Sequence, residues 1–178
     1  MGRARAFDLD AAVDHAVELF WRSGYAATSV RDLCDSMGLL QGSFYAAFGS
    51  KEACFRRALV RYLETQGLAR EPGPPAVRAW FRAITAPARR GKGCLLVSAA
   101  VDRPVLDDET AAFVAGRLRA MEDFFAACLE PRPRAREDAA LLGAAVIGIH
   151  VHARSGATSA QTRRIASRAL AAVGLDAC

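Results

Sequence analysis

The sequence lacks any C-x-x-C pair, and its five cysteines (Cys34, Cys54, Cys94, Cys128 and Cys178) form an odd, scattered set. That pattern argues against a disulfide framework or a zinc site and fits reduced thiols in a cytosol. Histidine is scarce, with only His15, His150 and His152. His150 and His152 stand two residues apart and so fall on different faces of a helix, which leaves no metal site to expect. No nucleophile motif, phosphate loop or dinucleotide fingerprint is present. With no catalytic residue to name and no cofactor implied, an enzyme is the weakest reading. The first twenty residues hold four acids and no apolar run. They do not read as a secretory leader, and a cytoplasmic protein is expected. The uncharged run from Ala139 to Ala153 is 15 residues long. A bilayer requires about 20, so this is a buried helix and no membrane partner is expected.

What is present is apolar content and helix formers. The 178 residues are 52% hydrophobic, enough for a real core. Alanine, leucine and arginine dominate while strand formers are scattered, which predicts an all-α fold. The net charge of +5 is poorly placed for a simple DNA argument. Residues 1–66 carry eight basic and eight acidic side chains, so the whole excess lies after residue 66.

The stretch from Ala27 to Phe55 organises the chain. Thr28 and Ser29 are N-cap residues. Val30, Leu33, Cys34 and Met37 give one apolar face of a short helix over about 29–36, which Gly38 stops. A second short helix, about 40–48, carries Phe44 and Phe48 four apart. Ser50 caps a third, running to about Gln66, with Phe55, Ala58, Leu59, Tyr62 and Leu63 inward. Before them a helix over about 8–22 buries Leu9, Val13, Ala16, Val17 and Phe20, and Gly24 ends it. Two short helices around a glycine turn make a helix-turn-helix, whose second helix can enter a DNA major groove.

The order Thr28-Ser29-Val30, Leu33-Cys34, Met37-Gly38, Gly42-Ser43-Phe44-Tyr45, Phe48, Lys51-Glu52 and Phe55 resembles the N-terminal DNA-binding domain of TetR/AcrR-type bacterial regulators. Residues 7–65 carry this resemblance. It implies that Ser29, Arg31, Gln41, Gly42, Ser43, Tyr45 and Lys51 face DNA. Gln41 can pair with adenine, Ser43 can reach a base edge or phosphate, and Gly42 lets the backbone come close. Tyr45 and Lys51 match the family's phosphate contacts. Arg31 suits guanine, though a solvated surface charge is an equal reading. Leu40, Ala46 and Ala47 depart from the family's usual polar or larger residues, so the operator sequence is not readable.

Glu71-Pro72-Gly73-Pro74-Pro75 marks a boundary, dividing a DNA-binding domain (1–66) from an effector-binding and dimerisation domain (67–178). Further helices are expected over about 76–86, 94–101, 107–129, 136–154 and 160–173, nine in all. Asp107, Asp108 and Glu109 suit the positive end of a helix. Trp80, Phe81, Cys94, Phe113, Met121 and Phe125 are candidates to line an effector pocket, although periodicity does not separate lining from core. Ala140, Ala144 and Gly148 recur at four-residue spacing on a broad apolar helix. With the last helix they resemble the family's dimer interface, the alternative being completion of a monomer core.

The resemblance thus implies a homodimeric repressor that binds a palindromic operator in double-stranded DNA and is released by a small-molecule effector of unknown identity. The alternatives are a helical dimer whose helix-turn-helix does not bind DNA, and a redox or electrophile sensor acting through Cys94. Cys94 follows Arg89, Arg90 and Lys92 at an expected helix start, a setting that favours thiolate.

Overall fold

The computed structural model describes residues 8–66, 71–87 and 93–175. Among them every regular element is helical: α1 (Leu9–Ser23), α2 (Val30–Met37), α3 (Gln41–Phe48), α4 (Lys51–Glu64), α5 (Pro74–Ile84), α6 (Leu95–Val101), α7 (Asp108–Leu129), α8 (Ala135–Arg154) and α9 (Ser159–Ala172). A short 3-10 turn, Arg103–Val105, lies between α6 and α7. No helix among the described residues is long and apolar enough to cross a membrane.

Local chemistry explains the starts and stops. Ser29 and Asp32 cap α2 reciprocally: the Ser29 hydroxyl accepts from the Asp32 amide at 3.1 Å, and the Ser29 amide donates to Asp32 Oδ2 at 2.8 Å. Thr28, expected to share this role, is instead buried and donates its hydroxyl to the Gly24 carbonyl at 2.7 Å. Gly38 ends α2 in the left-handed region, φ 67°, where a side chain would be strained. Ser50 caps α4 by accepting from Ala53 at 3.1 Å. That helix stops at Glu64, two residues before the expected end, where Thr65 and Gln66 turn their side chains back to the Tyr62 carbonyl. Helix α5 begins at Pro74, earlier than expected, because prolines fit the first helical positions, where an N–H has no partner anyway.

The contacts divide the chain into two units. The first holds residues 1–66 together with 98–111; the second holds 67–97 and 112–178. Helices α6 and α7 therefore each belong partly to both groups. In the first unit, α1 packs on α4 and α2, α2 on α3, and α3 on α4. Its centre is aromatic. The Phe55 ring meets Phe20 edge-on at 4.7 Å and Tyr25 at 4.8 Å, and all three residues are buried. Leu9, expected in the α1 stripe, is 40% exposed, while Ala12 and Leu19 are buried.

The second unit packs α8 against α9, with α5 against both. Val77, Phe81, Ile84, Phe125, Leu129, Leu142, Val146, Ile149 and Leu170 fill its core. The small residues of α8 lie on two faces, and the three expected to matter, Ala140, Ala144 and Gly148, share one of them. Gly143 lies so close to α7 that a Cβ there would stand 2.9 Å from Glu122 Cγ, whereas Ala140 and Ala144 are exposed and Gly148 is half-buried, where an added Cβ would meet nothing within 4 Å among the described residues.

Candidate nucleic-acid interface

Helix α3 is divided cleanly by burial. Phe44 and Phe48 point into the core, their rings 5.2 Å apart. Leu40, Gln41, Gly42, Ser43, Tyr45 and Ala46 are exposed, and Ala47 is half-buried. Two aromatics four residues apart thus seat the helix and leave its other sides to solvent. The N-cap is Leu40, which supplies no side-chain hydrogen bond. The first N–H groups of the helix, from Gln41 to Ser43, therefore point outward without a capping side chain, a natural seat for an anion such as a phosphate. The Tyr45 ring stands edge-on to Phe44 at 5.5 Å, which braces the phenol at the surface with half of the residue exposed.

The other expected residues stand at the starts of the two helices that pack on α3. The Ser29 hydroxyl is committed to the α2 cap, where it also donates to Asp32 Oδ2 at 2.7 Å. These two donations from Ser29 hold the Asp32 carboxyl below its ordinary value. Arg31 is exposed and lies 3.9 Å from Asp35, one turn along α2. So exposed a pair is weak, which leaves the guanidinium free to exchange partners.

Lys51 is held more firmly. Its Nζ sits 4.1 Å above the centre of the Tyr25 ring, a cation–π contact. The Tyr25 hydroxyl donates to Glu52 Oε1 at 2.8 Å. Burial draws the Lys51 ammonium below its ordinary pKa, while Glu52 and Asp102 pull the other way. Burial and the Glu52 contact push the Tyr25 phenol well above its ordinary value, so Tyr25 stays neutral. Tyr25 thus packs against Phe55 and is at the same time the platform for Lys51.

Sequence reasoning missed a set of residues on the 98–111 segment. Asp102 Oδ2 accepts from the Tyr25 amide at 3.0 Å. Arg56 on α4 donates to Asp107 at 3.0 Å and Thr110 at 2.9 Å, and pairs with Glu109 at 2.9 Å. Asp107 does start α7, accepting from the Thr110 amide at 2.8 Å, as its acidic run suggested. Its second partner, 51 residues earlier, leaves no local pattern.

The effector candidates separate into two sets. Phe81 and Phe125 are fully buried, Trp80 meets Phe125 at 5.0 Å, and Met121 packs on the same cluster. Phe113 lies apart beneath the Arg117 guanidinium at 5.0 Å. Cys94 is half-buried and precedes the first residue of α6. A cavity of about 10 Å³ lined by Ile84, Thr85, Ala153 and Thr162 holds at most a water.

The model of the bacterial regulatory proteins of the tetR family matches residues 12–58. ComR of Escherichia coli (strain K12), a helix-turn-helix transcriptional repressor, is 48% identical over 63 residues, 35% of this chain and 30% of ComR. YezE of Bacillus subtilis (strain 168), an uncharacterized helix-turn-helix transcriptional regulator, is 30% identical over 136 residues, 70% of each chain. Among solved structures, a cysteine variant of the TetR family transcriptional regulator CifR, in complex with 26-bp double-strand operator DNA, superposes with a TM-score of 0.82. It is 28% identical and covers 96% of this chain and 99% of its own.

Proposed function

The chain belongs to the tetR family of bacterial regulatory proteins, and from that premise we propose that it is a cytoplasmic repressor that binds an operator sequence-specifically and leaves it when a small molecule binds. The observation that carries this reading is the exposed first turn of α3, uncapped and set beside Tyr45. Gln41 and Ser43 read base edges or phosphate there, the Gly42 backbone approaches the duplex, and Tyr45 and Lys51 hold phosphates. Arg31 and the cap at Ser29 flank the same surface. CifR, bound to its operator, supports the assignment. Readings as a helical protein without DNA, or as a thiol sensor through Cys94, have no comparable support.

We assign DNA binding to residues 1–66, with 98–111 packed in the same unit, and effector binding and dimerisation to the rest of 67–178. An operator with two-fold symmetry needs two recognition helices about 34–36 Å apart, so the working form is a homodimer. The exposed side of α8 suits this role: Leu141 and Val151 are each 47% exposed, and exposed Ala144 and half-buried Gly148 lie between them. Small residues there let a second helix approach closely. Gly148→Arg places a long cation in that seam and is expected to convert the dimer to monomer in sedimentation velocity. A dimer of unchanged stability would move the interface elsewhere. The effector sits against the Trp80, Phe81, Met121 and Phe125 cluster, with Phe113 and Cys94 as further candidates; it acts by preferring a conformer that DNA does not.

The test is fluorescence anisotropy against labelled DNA from the upstream region of the protein's own gene, at two salt concentrations, with Tyr45→Phe beside it. Tyr45→Phe keeps the ring on Phe44 and removes only the hydroxyl. Losing one hydrogen bond to a charged phosphate lowers affinity about tenfold or more. Binding that weakens with salt and falls in the variant supports the reading. If neither this DNA nor sequences selected from a random pool bind, the helix-turn-helix is only structural.

A further inference from the structure

The side chain that anchors the Tyr25 turn comes from 77 residues further along the chain. Gly24 ends α1 at φ 83°, and a Cβ there would stand 3.5 Å from Asp102 Oδ2. The positive φ is what asks for glycine, since a Cβ would only touch the carboxylate, and that carboxylate takes the next amide, that of Tyr25, in a charge-assisted hydrogen bond. From that amide the Tyr25 ring lies against Phe55, its hydroxyl reaches Glu52, and Lys51 rests on its face. Arg56, further along the same helix as Lys51, is gripped by Asp107, Glu109 and Thr110 of the same 98–111 segment.

Resting on the DNA-binding reading, we infer that Asp102 is a positioning residue for Lys51: by clamping the Gly24–Tyr25 turn it fixes the ring on which the phosphate-binding ammonium stands. The clamp and its target lie within one unit, whereas the chain on either side of residues 98–111 belongs to the other. Asp102 is therefore one side chain through which a shift of that segment reaches Lys51, beside the grip of Asp107, Glu109 and Thr110 on Arg56. Two properties of Asp102 act oppositely. Its hydrogen bond preorganises Lys51 for phosphate, and its negative charge competes with phosphate for the same ammonium. Asparagine keeps an acceptor for the Tyr25 amide and removes the charge; alanine removes both.

The chain has two lysines, Lys51 and Lys92. Reductive methylation with 13C-formaldehyde therefore gives a two-lysine NMR spectrum apart from the terminal amine, with Lys51 assigned by its loss in Lys51→Ala. In the unaltered protein the Lys51 methyl signal is expected upfield, because Nζ stands 4.1 Å above the Tyr25 ring. Asp102→Ala is expected to abolish that shift, to weaken DNA binding about tenfold, and to lower the salt slope by about one phosphate contact. Combined with Lys51→Ala it adds no further loss, because both act on one contact. Asp102→Asn is expected to keep the upfield signal and to bind DNA at least as tightly as the unaltered protein. A Lys51 signal unchanged in folded Asp102→Ala, or lost in Asp102→Asn, overturns the inference. Failure of the unaltered protein to bind any DNA would sink the repressor reading, while the NMR comparison still decides whether Asp102 positions Lys51.

Discussion

Gly42→Ala is expected to make the protein more stable and a poorer DNA binder. Gly42 lies inside α3, is exposed, and an added Cβ would meet nothing within 4 Å. Neither packing nor a left-handed backbone requires glycine here. Glycine within a helix costs about 1 kcal/mol relative to alanine, so the fold alone would favour the substitution. On the DNA the sign reverses. On the proposed interface a methyl on the first turn is expected to hold the helix away from the duplex, so that the contacts proposed for Gln41, Ser43 and Tyr45 weaken together. The expected loss is about a hundredfold in operator affinity, equivalent to roughly 2.7 kcal/mol. Urea denaturation and anisotropy on the same preparation measure both signs. Higher stability with unchanged affinity would mean that α3 does not closely approach DNA.

Phe55→Ala is expected to unfold the first unit under conditions where the unaltered protein is folded. The ring is fully buried and meets both Phe20 and Tyr25 within 5 Å. Truncating a buried phenylalanine costs about 3–5 kcal/mol through lost burial and the cavity it leaves. A whole domain has about 5–15 kcal/mol in hand. The urea midpoint followed by circular dichroism should fall sharply, and operator binding should fall with it even though Phe55 touches no DNA. A midpoint within a few tenths molar of the unaltered value would show that the cavity collapses, or that Phe55 is less central than its contacts indicate.

Much of this molecule could be read without coordinates, for physical reasons that mark where such reading stops. Ser29, Gly38 and Ser50 act within three or four residues of themselves, so their caps and turns are visible in the string. Phe44 and Phe48 reveal which side of α3 is buried by spacing alone. Leu9 misled because a helix end follows its apolar stripe less strictly than the middle. Thr28 misled because two hydroxyl residues stood side by side and only one could take the cap. Asp102 and Arg56 were invisible because their partners are 77 and 51 residues away, and no periodicity spans such distances. For Trp80, Phe81, Met121 and Phe125 the sequence could not separate core from pocket wall, since both demand the same apolar side chains.

The allotment of residues 98–111 to the first unit bears on how the protein can be dissected. A cut after Gln66 looks like a clean separation, since a proline-rich boundary follows it. Such a fragment would keep all four N-terminal helices but lose Asp102, Asp107, Glu109 and Thr110, leaving the Tyr25 amide and the Arg56 guanidinium without these partners. The recognition half is thus not a portable cassette ending at residue 66. A chimera joined there would bring whatever side chains the recipient carries opposite Tyr25 and Arg56, and a transplant meant to keep operator choice must carry residues 98–111 along with the first 66.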